Sequence, residues 1–296
     1  MSECTLCPRN CRADRGAGQK GVCGVAGDKI LAARAALHMW EEPCISGEKG
    51  SGAVFFSGCP LRCVYCQNTS IAHAQSGREI SWERLSEIFM ELQEKGASNI
   101  NLVTPTHYTP QIIWAVDRAR RNGLLVPVVY NCSGYEKTET LRLLEGTVDV
   151  YLTDFKYMRE DIAKRYSNAP DYPEVAKKAL SEMVRQTGTA SFDENGMMRR
   201  GVIVRHLLLP GQVRNAKAVV DYVFSAYKDN VFLSLMNQYT PLPQMEAWPE
   251  INRKVTEREY EALIDYAISI GVENAFIQEG DTAEESFIPD FDNTGI

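Results

Sequence analysis

Ser57-Gly58-Cys59-Pro60-Leu61-Arg62-Cys63-Val64-Tyr65-Cys66-Gln67-Asn68 is the stretch around which the rest of the chain is organised. It follows Ala53-Val54-Phe55-Phe56, a run of branched and aromatic residues with the composition of a short buried strand. Three thiols in C-x3-C-x2-C spacing therefore stand on a loop just past a strand. Soft thiolates select zinc or iron-sulfur. A structural zinc site closes four ligands around its ion, usually as two pairs. Disulfides suit small secreted domains rather than a chain of 296 residues. A [4Fe-4S] cluster takes one cysteine per iron, so a compact trio without a fourth partner nearby leaves one iron open to a ligand that reacts. Zinc, a disulfide framework and chance remain as plainer readings of the same three residues.

Outward from this stretch, short β-rich runs alternate with amphipathic ones. Strands are predicted over Ala53–Ser57, Ile100–Val103, Val126–Tyr130, Val148–Leu152, Val202–Leu208 and Val231–Met236. The clearest helix runs over Ser81–Lys95, with Ser81 as N-cap and Leu85, Ile88, Phe89 and Leu92 as its apolar stripe. Further helices are expected over Thr109–Asn122, Glu136–Glu145, Tyr172–Gln186, Val213–Tyr227 and Thr256–Ile270, with Gly123, Gly146, Gly188 and Gly271 as stop signals. Six strands alternating with helices imply an α/β fold with a parallel sheet, curled by right-handed crossovers into a partial (β/α)6 TIM-type barrel. Reacting residues in such barrels gather on the loops at the C-terminal strand ends.

Composition bounds the partners. The 44% hydrophobic and 24% charged content are those of an ordinary globular protein. Lys plus Arg at 32 against Asp plus Glu at 39 gives a net charge of −7, so no global basic field draws nucleic acid or an anionic membrane. No apolar stretch approaches a membrane span. Met1-Ser2-Glu3-Cys4 shows no basic region followed by an apolar one, and nine cysteines without an export signal read as a cytoplasmic chain whose thiols are reduced and given to metal.

The trio after the first strand, the repeated β/α pattern and the aromatic Tyr65 before the last cysteine resemble the radical S-adenosylmethionine (SAM) superfamily over about Ala53–Ile277. More narrowly, Glu41-Glu42-Pro43-Cys44-Ile45-Ser46-Gly47, Asn101-Leu102-Val103-Thr104-Pro105-Thr106-His107 and Asp154-Phe155-Lys156-Tyr157 resemble an uncharacterised iron-sulfur branch similar to pyruvate formate-lyase-activating enzyme. The resemblance implies that Cys59, Cys63 and Cys66 ligate three irons and that the amine and carboxylate of SAM chelate the fourth. The reduced cluster would then cleave SAM to methionine and a 5′-deoxyadenosyl radical, which takes hydrogen from a substrate. A glycine on a partner protein is one such substrate; a small molecule or peptide is the other. Flavodoxin or ferredoxin would supply the electron.

By the same resemblance, Thr104-Pro105-Thr106-His107 stands where many relatives carry a Gly-Gly-Glu run for the SAM amine, so Thr104, Thr106 or His107 would replace it. Asn131 and Ser133 match a segment lining the SAM pocket, with Cys132 between them as a small buried residue. Asp154 and Lys156 repeat an Asp-x-Lys pattern in which the ammonium suits the SAM carboxylate. Arg205 sits in an apolar strand where a guanidinium is costly without a partner, and is expected to face the barrel mouth. His206 points the opposite way by strand alternation. Gln238 and Tyr239 are weaker candidates for the substrate end.

A second set, Cys4, Cys7, Cys11 and Cys23 in C-x2-C-x3-C-x11-C spacing, has four ligands, enough to close a tetrahedral site. Zinc, a mononuclear iron or an auxiliary iron-sulfur cluster all satisfy it, with a structural metal stapling a Gly-rich appendage as the plainest form. Cys44 is left unliganded. The expected organisation is a Cys-rich N-terminal extension over 1–50, a barrel over 51–280 and a loosely packed acidic tail over 281–296. A non-catalytic iron-sulfur or zinc protein is the reading from outside enzymology.

Overall fold

The structure, a computed structural model, describes residues 3–27, 29–278 and 289–296. Its strands are β1 (Ile30–His38), β2 (Ser51–Phe56), β3 (Arg78–Ile80), β4 (Ile100–Val103), β5 (Val128–Cys132), β6 (Val150–Asp154), β7 (Ser191–Phe192), β8 (Met198–Leu207), β9 (Phe232–Met236) and β10 (Ala275–Ile277). The sheet runs β10-β9-β8-β6-β5-β4-β2-β1-β3, with β7 attached to β8. From β2 through β10 on this path every pairing is parallel. The six strands expected from the sequence are its centre, and the sheet ends in β3 and β10 rather than closing on itself. This is an α/β fold with a mostly parallel sheet, a partial TIM-type barrel.

Two edges were not foreseen. β1 pairs antiparallel with β2 and with β3, and its sequence, ILAARAALH, is rich in alanine, which strands disfavour. β10 adds a three-residue parallel strand beside β9. Residues 30–38 therefore pair directly onto the sheet.

The helices follow their caps and stripes. Ser81 Oγ accepts from Arg84 N at 3.1 Å, and Trp82–Glu94 buries Leu85, Ile88, Phe89 and Leu92. Thr109–Arg121, Thr138–Leu143, Tyr172–Thr187, Val213–Tyr227 and Glu257–Ser269 complete the expected set, the last with a capping box between Thr256 and Glu259. A further helix, Glu160–Ser167, is short and highly charged and ends on left-handed Asn168, so its periodicity is faint. Among the described residues no helix is long and apolar enough to cross a membrane.

Two apolar layers hold the sheet. On one face Val129, Val150, Leu152 and Ile203 pack with Cys44 and Ile45 of the short helix Pro43–Ser46, which fills the barrel interior. On the other, Tyr130, Tyr151, Val202 and Val204 meet the outer helices. Asn99 Nδ2 donates to Ile45 O at 2.6 Å, anchoring the interior helix. The residues just before that helix are thereby led up into the barrel. The end of the chain is not loose where it is described: Asn293 N donates to Ala33 O at 2.9 Å, Ala35 N donates to Thr294 O at 2.8 Å, and Phe291 stacks edge-on against Phe55. Residues 281–288 of the expected acidic tail lie outside the described residues.

Candidate active site

Parallel register aligns the site. Phe55, Val103 and Asn131 are paired across β2, β4 and β5. One step further round, Asp154, Arg205, Ser234 and Phe276 are paired across β6, β8, β9 and β10. Because alternate residues of a strand share a face, these two rows point to the same interior at the C-terminal strand ends. They line a cavity of about 660 Å³, whose walls also include Cys63, Tyr65, Cys66 and Lys156.

Five side chains form one polar network on that cavity. Arg205 donates from Nη1 to Glu41 Oε2 at 3.0 Å, from Nε to Asp154 Oδ1 at 3.2 Å and from Nη2 to Asn131 Oδ1 at 2.5 Å. Lys156 Nζ donates to Asp154 Oδ2 at 2.7 Å, and Asn131 Nδ2 donates to Glu41 Oε1 at 3.1 Å. Asn101 adds a 2.8 Å donor to the same Glu41 oxygen. Burial works against every charge here, yet Lys156 and Arg205 hold the Asp154 carboxyl below its ordinary value. Likewise, Asp154 holds the Lys156 ammonium above its own. Glu42, next in sequence, is different: burial pushes its carboxyl up, and its Oε2 has no partner among the described residues.

The cysteine loop is shaped by its backbone. Gly58 (φ +93°) and Arg62 (φ +49°) take left-handed conformations on either side of Cys59. A Cβ on Gly58 would lie 2.9 Å from Cys23 O and 3.0 Å from His107 Nε2, so only glycine fits there. Ser167 Oγ donates to Cys63 Sγ at 3.0 Å. Backbone N–H groups of Arg62 and Leu61 are directed at the Cys59 sulfur, and that of Asn68 at Cys66. Burial otherwise pushes the Cys59 thiol up to about 11 and Cys66 to about 12. Buried sulfurs served by N–H donors fit a metal cluster, because a coordinating thiol is deprotonated outright. None of the cysteines is in a disulfide. Among the described residues no three His, Cys, Asp or Glu side chains are drawn together as an ion's ligands.

The expected site residues divide. Tyr65, Asn131, Asp154, Lys156 and Arg205 meet at the cavity with Cys63 and Cys66. The hydroxyl of Tyr65 bonds Tyr157 at 2.8 Å, which leaves its ring as the surface offered. Thr104, Thr106, His107 and Ser133 are not among the cavity residues. Thr106 Oγ1 donates instead to buried Glu136 at 2.8 Å, and His107 Nε2 bonds Ser57 O at 2.9 Å. Burial pushes His107 down to about 3. Thr104 adopts φ +60°, its N–H donating to Asn131 O at 2.9 Å, and Ser133 Oγ caps the backbone of Tyr135. Cys132 is buried against Thr153, and His206 bonds Phe155 O at 2.7 Å. Glu41 and Glu42 were missed as site residues, although the run containing them was singled out.

The sequence profile of the Radical SAM superfamily matches residues 53–221. The chain belongs to the radical SAM superfamily. Membership implies a [4Fe-4S] cluster and SAM, and an enzyme of the radical SAM class. A curated relative, an uncharacterized protein of Methanocaldococcus jannaschii, is 28% identical over 276 residues, which is 90% of this chain and 75% of the relative. Among solved structures, Streptococcus suis SuiB bound to S-adenosylmethionine aligns with TM-score 0.51 at 12% identity, covering 77% of this chain and 50% of SuiB. SuiB bound to precursor peptide SuiA aligns with TM-score 0.50 at 13% identity, covering 75% of this chain and 46% of SuiB. The chain thus spans about half the length of SuiB, and the likeness is one of fold.

Proposed function

We propose that the cavity binds SAM, with Cys59, Cys63 and Cys66 holding the cluster at its wall and the Glu41-Arg205-Asp154-Lys156 network receiving the polar end of the nucleoside. The network carries this reading. It sets two acids against two bases beside two of the cluster cysteines, a desolvated arrangement that recognises a zwitterionic amino-acid group. Lys156 faces the carboxylate of SAM, and Asp154, Asn131 or Glu41 accepts from its amine. When bound, the reduced cluster supplies the electron that cleaves the sulfonium. The protein's part is to hold the methionyl group, stack Tyr65 on the site and exclude water.

For the substrate, hydrogen is taken either from a glycine on a partner protein, as in the activating enzymes the sequence resembles, or from a small molecule or peptide. The cavity volume of about 660 Å³ falls within the range of small-molecule sites, roughly 300–1,000 Å³. Gln67, Gln238 and Gln278 add polar, uncharged groups to its walls, which suit a peptide group or a neutral polar molecule. Flavodoxin or ferredoxin would serve as donor. The test is formation of 5′-deoxyadenosine and methionine by anaerobically reconstituted, reduced protein. Their absence with an intact cluster would favour a non-catalytic iron-sulfur protein. Deuterium transfer from a candidate partner's labelled glycine into 5′-deoxyadenosine would separate the two substrate classes.

A further inference from the structure

The N-terminal cysteines are locked to the trio by contacts that neither set needs for itself. Cys59 N donates to Cys23 O at 3.2 Å, joining the last cysteine of one set to the first of the other. Arg9, between Cys7 and Cys11, donates from Nε to Pro60 O at 2.9 Å and from Nη2 to Ser167 O at 2.8 Å. Pro60 follows Cys59 directly, and Ser167 is the residue whose hydroxyl donates to Cys63. In return Arg62 of the trio loop reaches across to Gly24, where any Cβ would collide with its guanidinium.

Charge supplies the second observation. Arg15 is 2% exposed and lies in the chain between Cys11 and Cys23. Its Nη1 donates to His107 O at 2.6 Å, but Nε and Nη2 are buried without partners among the described residues. Among the described residues no carboxylate pairs with this guanidinium, which is enclosed with a carbonyl and the Tyr108 ring, whereas burial of a charge requires a counter-charge. Four neutral thiols do not provide one. Four thiolates around a divalent ion, or around a [4Fe-4S] core, carry about −2 in total and accept N–H donors. Cys11 and Cys23 already converge: a Cβ on Gly21 would lie 3.2 Å from one sulfur and 3.3 Å from the other.

We propose that Cys4, Cys7, Cys11 and Cys23 hold an anionic, thiolate-bound metal centre separate from the trio, neutralised by Arg15, and that its loop, keyed by Arg9 and Cys23, fixes where Cys59 stands. The SAM cluster is then assembled against a metal-built surface. This rests on the trio being the cluster site, which family membership supplies, and not on SAM cleavage.

The experiment counts iron, sulfide and zinc in full-length protein purified without oxygen. The variant C59A/C63A/C66A should keep about one zinc or about four irons per chain, and adding C4S/C7S/C11S/C23S should remove them. Zinc identifies a structural ion and iron with sulfide an auxiliary cluster; either supports the centre. Equal metal in the two variants overturns it. Should the first variant fail to fold by circular dichroism, wild type is compared with C4S/C7S/C11S/C23S, and metal no higher than one cubane in wild type overturns it equally. Arg9→Ala keeps all seven thiols. It should lower occupancy of the trio's cluster at least several-fold, read by its low-temperature resonance on reduction, while the N-terminal metal persists. An undiminished trio signal overturns the coupling. These readouts are independent of turnover, so an inactive protein with both metals would refute the proposed function and leave this inference standing.

Discussion

Glu41→Ala is the sharpest perturbation of the site. The Glu41 carboxylate is 9% exposed and accepts three donors: Arg205 at 3.0 Å, Asn101 at 2.8 Å and Asn131 at 3.1 Å. Removing one partner of a buried ion pair costs about 3–5 kcal/mol, because the other charge stays behind. Here Asp154 still accepts from Arg205 Nε at 3.2 Å, which places the expected loss near the lower end, about 3 kcal/mol. Glu41→Gln keeps the shape and one acceptor oxygen but gives up a charged hydrogen bond, for about 1.5–3 kcal/mol. Urea unfolding of the reduced protein, with an unchanged dependence on denaturant, measures both. Arg205→Met should cost a similar amount, and E41A/R205M less than the sum, since the double variant leaves no stranded guanidinium at Glu41. A loss under about 1 kcal/mol for E41A, or strict additivity in the double variant, would refute the view that this network is desolvated and coupled.

Other expectations follow from single residues. Burial pushes His206 down to about 4; between there and the unfolded value of about 6.5, the unfolded chain binds a proton that the native state refuses. Stability is therefore fully present above that window and falls as pH is lowered through it, by on the order of 3 kcal/mol, and H206Q should flatten this slope in urea titrations at stepped pH. Gly58→Ala meets the Cys23 carbonyl at 2.9 Å and should sharply reduce iron bound at the trio, as measured after anaerobic reconstitution. Lys156→Met should weaken SAM binding by roughly 10–100-fold, the worth of one charge-assisted hydrogen bond, in equilibrium binding to the clustered protein. Ser81→Ala removes the cap on Arg84 N and should cost about 1 kcal/mol in urea unfolding without changing metal content.

The parallel core was legible because buried strands advertise themselves. Val-rich and aromatic runs such as Val202–Leu208 have no other comfortable place, and Ile100–Val103 matches β4 at both ends. Helices with a stripe and a cap were equally plain: Val213–Tyr227 has the bounds expected. What escaped was held by context instead. β1 is alanine-rich and is a strand because β2, β3 and the chain's end supply its hydrogen bonds. Glu160–Ser167 is about two charged turns in which Ile162, Ala163 and Tyr166 reach the core, too few points for a period to emerge.

The acidic half of the site shows how far burial arguments on a sequence can be taken. Arg205 lies in an apolar strand, and that alone requires a counter-charge. Asp154 was at hand on the neighbouring strand, in register with it. But Asp154 is also claimed by Lys156 at 2.7 Å, so two cations on one carboxylate leave the charge unbalanced in a desolvated cavity. The missing acid therefore had to come from outside the β/α repeat. Glu41-Glu42 precedes Pro43, a helix start whose next residues, Cys44 and Ile45, are apolar enough to be swallowed by the barrel. A helix that plugs the interior carries the residues before it into the cavity, and the pair divides there. Glu41 completes the charge balance, while burial holds the Glu42 carboxyl above its ordinary value, and among the described residues its Oε2 has no partner.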